Sequence, residues 1–228
     1  MLRVIGDVHG HVQPYMKLIK SAEYSVQLGD FGFAEQYRRL DWHLDQKPYD
    51  RSRHMIIPGN HDDYDNLPES ALGNYGYRIV DQIGFFWVRG AFSVDHHIRT
   101  EGVSWWRQEE LTFLEMQSMI DVFTQVTPTL ILSHDCPQSI IPYITQGSSF
   151  SKSQSSATNK GLQFCLDIHR PRLWIFGHHH VTRAFYDGYT VFACLKELDY
   201  IDINSQYPFG YEEGIEAIRQ KCGIEELR

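Results

Sequence analysis

The chain has 228 residues, 42% of them hydrophobic and 22% charged, an ordinary globular composition that favours one domain with one sizeable core. Its net charge of −8 argues against a broad nucleic-acid surface, which needs clustered Lys and Arg, though not against local capture of an anion by bound cations. No apolar run is long enough to span a bilayer, Met1-Leu2-Arg3 leads straight into the first motif, and Cys136, Cys165, Cys194 and Cys222 form no C-x-x-C pair, so a cytoplasmic protein with reduced thiols and no membrane segment is expected.

Leu2 to Gly6 reads as a buried strand ending at Asp7, and Val12 to Ala22 has helical spacing, with Pro14 tolerated in its first turn. Tyr24 to Leu28 is a second strand, ending at Gly29-Asp30. A helix is expected from Gln36 to Asp45, and a third strand from His54 to Ile57 ends at Pro58-Gly59-Asn60-His61. This βαβαβ opening predicts parallel strands that deliver polar motifs at their C-terminal ends, where ligand sites gather in open α/β sheets. Tyr77 to Val80 and Phe85 to Val88 read as paired strands with Gly84 near the turn. Gln108 to Phe123 reads as the longest helix, with Glu109, Glu110 and Glu115 toward solvent and Leu111, Leu114 and Met119 toward the core. Thr129 to Leu132 and Arg172 to Phe176 are strands ending at His134 and at a His-rich motif. Ala184 to Ala193 holds a hairpin turn at Asp187-Gly188. The Ser-rich stretch Gly147 to Gly161 reads as a loop, either a substrate lid or a solvated connector, and Gly214 to Lys221 as a short helix in a C-terminal extension beyond a core of about 2–197.

Five motifs end at metal-binding side chains: Gly6-Asp7-Val8-His9-Gly10, Gly29-Asp30, Gly59-Asn60-His61-Asp62, Ser133-His134 and Gly177-His178-His179-His180. On an extended backbone the period of two would put Asp7 and His9 on one side, and likewise His178 and His180, with His179 turned away. Carboxylate with imidazole suits Mn, Fe, Zn or Ni better than Ca, which prefers all-oxygen shells.

The order of these motifs resembles the calcineurin-like metallophosphoesterases, over about Val4 to Leu195. The resemblance implies a four-layer α/β/β/α sandwich of two mixed sheets in a single domain. It implies two divalent metal ions, with Mn preferred. Asp7, His9 and His180 would hold the first, Asn60, His134 and His178 the second, and Asp30 would bridge them. Hydrolysis of phosphate mono- or diesters by a metal-bridging hydroxide follows. His61 would protonate the leaving group or steady the phosphate, and Asn60 and His61 would face the substrate. Two divalent ions against two carboxylates and a hydroxide leave about one positive charge, which suits a small phosphorylated substrate. A nuclease or cyclic-nucleotide phosphodiesterase of the same fold remains an alternative, as does a non-catalytic scaffold, although scaffolds lack ligands and every position here is filled.

The chain departs from the family's Ser/Thr phosphatases, which continue the second motif as G-D-x-x-D-R-G. Here it reads Gly29-Asp30-Phe31-Gly32-Phe33-Ala34-Glu35, without the phosphate-gripping Arg. Arg99, in a stretch from Gly90 to Glu110 similar to that of small bacterial and phage members, either supplies that contact or is a surface residue. Trp105 and Trp106 are core or base-stacking residues, His96 and His97 loop or pocket residues, and His11 a neighbour of the phosphate. Asp62, Asp63 or another acid would orient His61.

Overall fold

Strand periodicity dictates the layers. The computed structural model describes residues 1–32, 50, 52–145, 156–204 and 210–227. Strands β1 (Leu2–Ile5), β2 (Tyr24–Gln27) and β3 (His54–Ile56) run parallel in that order, and β10 (Tyr200–Ile203) adds antiparallel to the free side of β1. The second sheet contains β4 (Tyr75–Val80), β5 (Ile83–Val88), β6 (Leu130–Ser133), β7 (Leu173–Phe176), β8 (Arg183–Tyr186), β9 (Val191–Cys194) and β11 (Glu225–Glu226). Its spatial order is β11-β8-β9-β7-β6-β5-β4, with β5, β6, β7 and β9 parallel and the β4–β5 and β8–β9 pairs antiparallel. Both sheets are therefore mixed.

Successive side chains of the central strands enter different cores. Leu130 and Leu132, Leu173 and Ile175, and Val191 and Ala193 face the smaller sheet and meet Leu2, Val4, Val26 and Met55. Ile131, Trp174, Phe176 and Phe192 point the other way, under helices α2 (Phe113–Val126) and α4 (Ala157–Ile168). On the outer face of the smaller sheet, α1 (Val12–Lys20) buries Val12, Tyr15 and Ile19 against Ile5 and Ile56. Three cores between four layers give the expected sandwich. Among the described residues no helix is long and apolar enough to cross a membrane.

Several elements differ from the sequence reading. The expected Gln108–Phe123 helix is broken: Arg107–Glu109 is one 3-10 turn, and α2 starts afresh after Thr112. Thr112 and Glu115 form a reciprocal capping box, with the Glu115 carboxylate accepting from Thr112 N at 2.8 Å, which fixes the helix start there. Moving the boundary turns the predicted faces, so Glu109 is buried and Leu114 exposed. A second capping box, Ser156 with Asn159, starts α4 inside the stretch read as loop, and Gly147 to the residue before it, Ser155, fall outside the described residues, as does the expected Gln36–Asp45 helix. The β4–β5 turn is Asp81-Gln82, both at positive φ as a tight hairpin requires, while Gly84 lies in the strand opposite Ile79. A short α3 (Ile141–Ile144) follows β6. The stretch after Leu198 belongs to the fold: β10 is an edge strand, and α5 (Gly210–Cys222) puts Ile215 and Ile218 into the core between the sheets.

Replacing Thr112 by Ala removes one half of the first capping box. We expect a loss of about 1 kcal/mol, read as a fall of about 2–4 °C in Tm, with the circular dichroism spectrum at lower temperature unchanged.

Candidate metal centre

Each predicted donor sits just past the C-terminal end of a strand: Asp7 and His9 after β1, Asp30 after β2, Asn60 after β3, His134 after β6, and His178 and His180 after β7. Facing sheets bring these ends together. Ligand atoms of Asp7, His9, Asp30 and His180 lie within 4.8 Å of one another, as do those of Asp30, His134 and His178. His9 Nε2 is 3.0 Å from His180 Nε2 and 3.6 Å from Asp7 Oδ2, and His180 Nε2 is 3.3 Å from Asp7 Oδ2. On the other side, His134 Nε2 is 3.0 Å from Asn60 Oδ1 and 3.4 Å from Asp30 Oδ1. Asp30 thus belongs to both groups.

The convergence does not come from extended backbone. His9, Asp30, His178 and His180 have φ of 44°, 52°, 65° and 53°, in the left-handed region that non-glycine residues avoid. Left-handed turns at the strand ends swing these side chains inward, and strain of this kind concentrates at functional sites. His179 is turned away as expected, though on this left-handed backbone and not through strand alternation. Its Nε2 lies 3.2 Å from Asp135 Oδ1 and 3.6 Å from Cys136 Sγ, within a hydrogen-bonded trio beside the centre.

The sequence pattern of one protein family, described as calcineurin-like phosphoesterase, matches residues 2–182. The chain belongs to that family. Known structures of similar fold include a dimetal phosphatase from Danio rerio, 14% identical with a TM-score of 0.51, covering 86% of this chain and 87% of that one. Two others are a phosphopantetheinyl hydrolase from Mycobacterium tuberculosis and GAP50, the anchor in the inner membrane complex of Plasmodium. Each is 11% identical and covers 86% of this chain; TM-scores are 0.47 and 0.49, and 89% and 71% of their own chains are covered. No curated protein matches the sequence.

The donor set of this calcineurin-like phosphoesterase fits a pair of divalent cations. Asp30 Oδ2 is buried and has no hydrogen-bond partner among the described residues, an arrangement that costs free energy unless a cation takes the lone pairs. Burial works against the Asp7 charge, yet hydrogen bonds from His180 and His9 hold its carboxyl well below the usual range. Burial likewise opposes the Asp30 charge, while His134 and His61 lower its carboxyl. His9 is raised to about 9, because Asp7 and Asp30 outweigh the effect of burial. Burial pushes His178 down to about 4, leaving a neutral imidazole with a lone pair for coordination.

Residues around the donors take roles the sequence left open. Asp62 accepts from Phe31 N, Gly32 N and Gly59 N at 3.2, 2.8 and 2.8 Å, tying the Asp30 loop to the Asn60 loop. Asp63 caps its own turn through Asp65 N and Asn66. His61 is oriented by Arg99, whose Nη1 donates to His61 Nδ1 at 2.7 Å. The same guanidinium is gripped by Asp95 at 2.7 and 2.8 Å and donates to Ser104 O, so protein partners occupy most of its five N–H groups. Trp106 is buried with its indole N–H on Asp65, whereas Trp105 is partly exposed beside His96; His97 is exposed, and His11 pairs with Glu197. Cys136 is buried, and burial raises its thiol.

Gly59 shows how tightly the loops close on the centre. A Cβ there would lie 2.2 Å from Asp30 N and 2.3 Å from Asp30 Oδ1. Gly59→Ala must displace Asp30, and we expect divalent-ion affinity to fall at least about tenfold in calorimetric titration, the range seen when support of a ligand is lost.

Proposed function

We propose that the chain is a metal-dependent phosphoesterase that hydrolyses phosphate mono- or diesters of small substrates. The observation that carries this reading is the buried Asp30 carboxylate, shared by two donor groups and with one oxygen that has no hydrogen bond among the described residues. Asp7, His9 and His180 would hold one divalent ion and Asn60, His134 and His178 a second, with Asp30 available to either. The mixed carboxylate, amide and imidazole set suits Mn, Fe, Zn or Ni better than Ca, and Mn is the ion proposed. Bound there, the two ions would supply electrophilic charge for the phosphoryl oxygens and would acidify a water molecule.

The remaining work falls to protein side chains. Arg99 has only N–H groups to offer, so His61 Nδ1 accepts from it and the neutral ring carries its proton on Nε2. The His61 backbone N–H donates to Asp30 Oδ1 at 2.8 Å, which fixes the ring relative to the carboxylate that both donor groups share. His61 Nε2–H is then the donor for a phosphoryl or leaving-group oxygen. Arg99 acts on the substrate mainly through His61, with Asp95 holding the guanidinium in place.

The test is turnover of p-nitrophenyl phosphate, its bis-ester, cyclic nucleotides and dinucleoside polyphosphates with Mn²⁺ and other divalent ions. Activity should vanish on chelation and return with metal. Asp30→Asn should abolish it through lost metal binding. His61→Ala should lower kcat about 100-fold, and Arg99→Ala about tenfold, with metal content unchanged. Full turnover by the chelated chain, or by Asp30→Asn, contradicts the proposal.

A further inference from the structure

The stretch between β5 and α2 carries a buried carboxylate that the chemistry above does not use. Glu109, 2% exposed, reaches back to Ser93: its Oε1 accepts from Ser93 N at 2.8 Å and its Oε2 from Ser93 Oγ at 2.6 Å. Ser93 Oγ in turn accepts from Asn60 Nδ2 at 2.9 Å. We propose that Ser93 and Glu109 are positioning residues for the Asn60 amide, holding its oxygen rather than its nitrogen toward the second metal position. The proposal rests on the two-ion reading of the centre.

An amide has two ends of similar size and opposite chemistry: the carbonyl oxygen can ligate a cation, and the NH₂ can only donate. Rotation by half a turn exchanges them at little steric cost. The pocket must therefore supply an acceptor for the nitrogen end, and a hydroxyl alone does not suffice, because it can donate as readily as accept. Glu109 removes that ambiguity. Burial raises the Glu109 carboxyl and the two Ser93 hydrogen bonds oppose that. With Oε1 taken by the backbone N–H, Oε2 receives the Ser93 hydroxyl proton, so lone pairs of Oγ face Asn60. A reversed amide would set its carbonyl oxygen against those lone pairs. The Ser93 backbone N–H, held by the other carboxylate oxygen, fixes the geometry of the pair. Asn60 Oδ1 is left directed at His134 Nε2, 3.0 Å away, where the second group of donors converges.

A purely structural role for Glu109 predicts that glutamine would serve as well, since it is isosteric and makes two hydrogen bonds. The positioning role predicts otherwise. The Ser93 backbone N–H can only donate, so the oxygen of glutamine must face it and the NH₂ must face Ser93 Oγ. The hydroxyl proton would then turn toward Asn60 and favour the flipped amide.

Mn²⁺ titration of the full chain, followed by calorimetry and electron paramagnetic resonance, separates the two. For Glu109→Gln we expect the second ion to bind about 10- to 100-fold more weakly, the first to bind as in the wild type, and the metal-free Tm to stay unchanged. Ser93→Ala should weaken the second ion in the same way, and Ser93→Thr should restore it. Two ions bound with wild-type affinity by Glu109→Gln, or by Ser93→Ala if Glu109→Gln fails to fold, overturn the inference. A wild-type chain that binds no Mn²⁺ overturns the two-ion reading itself.

Discussion

Two ionised carboxylates, Asp7 and Asp30, are buried side by side at the edge where two sheets meet, and the rest of the site follows from that. Taking a carboxylate out of water costs several kcal/mol even after relaxation, and two in contact cost more through repulsion. Both charges survive because imidazoles converge on them: His9, His180 and His134 all lie within 4 Å of a carboxylate oxygen. The cluster is thus built to hold positive charge, as imidazolium or as bound divalent cation. Asp30 Oδ2, without a hydrogen bond among the described residues, favours the second.

The fold makes such a cluster affordable. Parallel strands β1, β2 and β3 of one sheet and β6 and β7 of the other end at the same edge, so each contributes a ligand without a long loop. The three hydrophobic cores hold those ends in place, and their packing supports the left-handed backbone at His9, Asp30, His178 and His180. Asp62 fastens the two loops that meet at Asp30, and the stretch from Gly90 to Glu110 buttresses Asn60 and His61 from outside. In that stretch two carboxylates act through intermediaries: Glu109 through Ser93 on Asn60, and Asp95 through Arg99 on His61. Neighbouring residues of one motif are thereby oriented by separate supports.

The site was legible in sequence wherever residue type and local order carry the information. The five motifs contain the side chains that the structure gathers around Asp30, because these follow their strands closely, but they did not point to the neighbouring Asp135, Cys136 and His179 group. The parallel opening followed from apolar runs and their period, and the four layers from the resemblance to the calcineurin-like family. What stayed hidden depends on distant partners. Glu109 reads as a solvent-facing helical residue until the Thr112–Glu115 capping box ends that helix early, and the S/T-x-x-E pattern was available to reveal it. Ser156-x-x-Asn159 likewise marked α4 inside a Ser-rich stretch. By contrast, no local pattern distinguishes an Arg99 that grips phosphate from one that orients His61, and alternation gave the right convergence for Asp7 and His9 by the wrong backbone. Strand β10 has only four residues, and its place beside β1 is a tertiary fact.

The most direct test is anomalous diffraction at the manganese edge from crystals grown with saturating Mn²⁺. The account predicts two peaks per chain about 3.5–4 Å apart, with one Asp30 oxygen bound to each. A single peak, or peaks that leave Asp30 without contact, would contradict it.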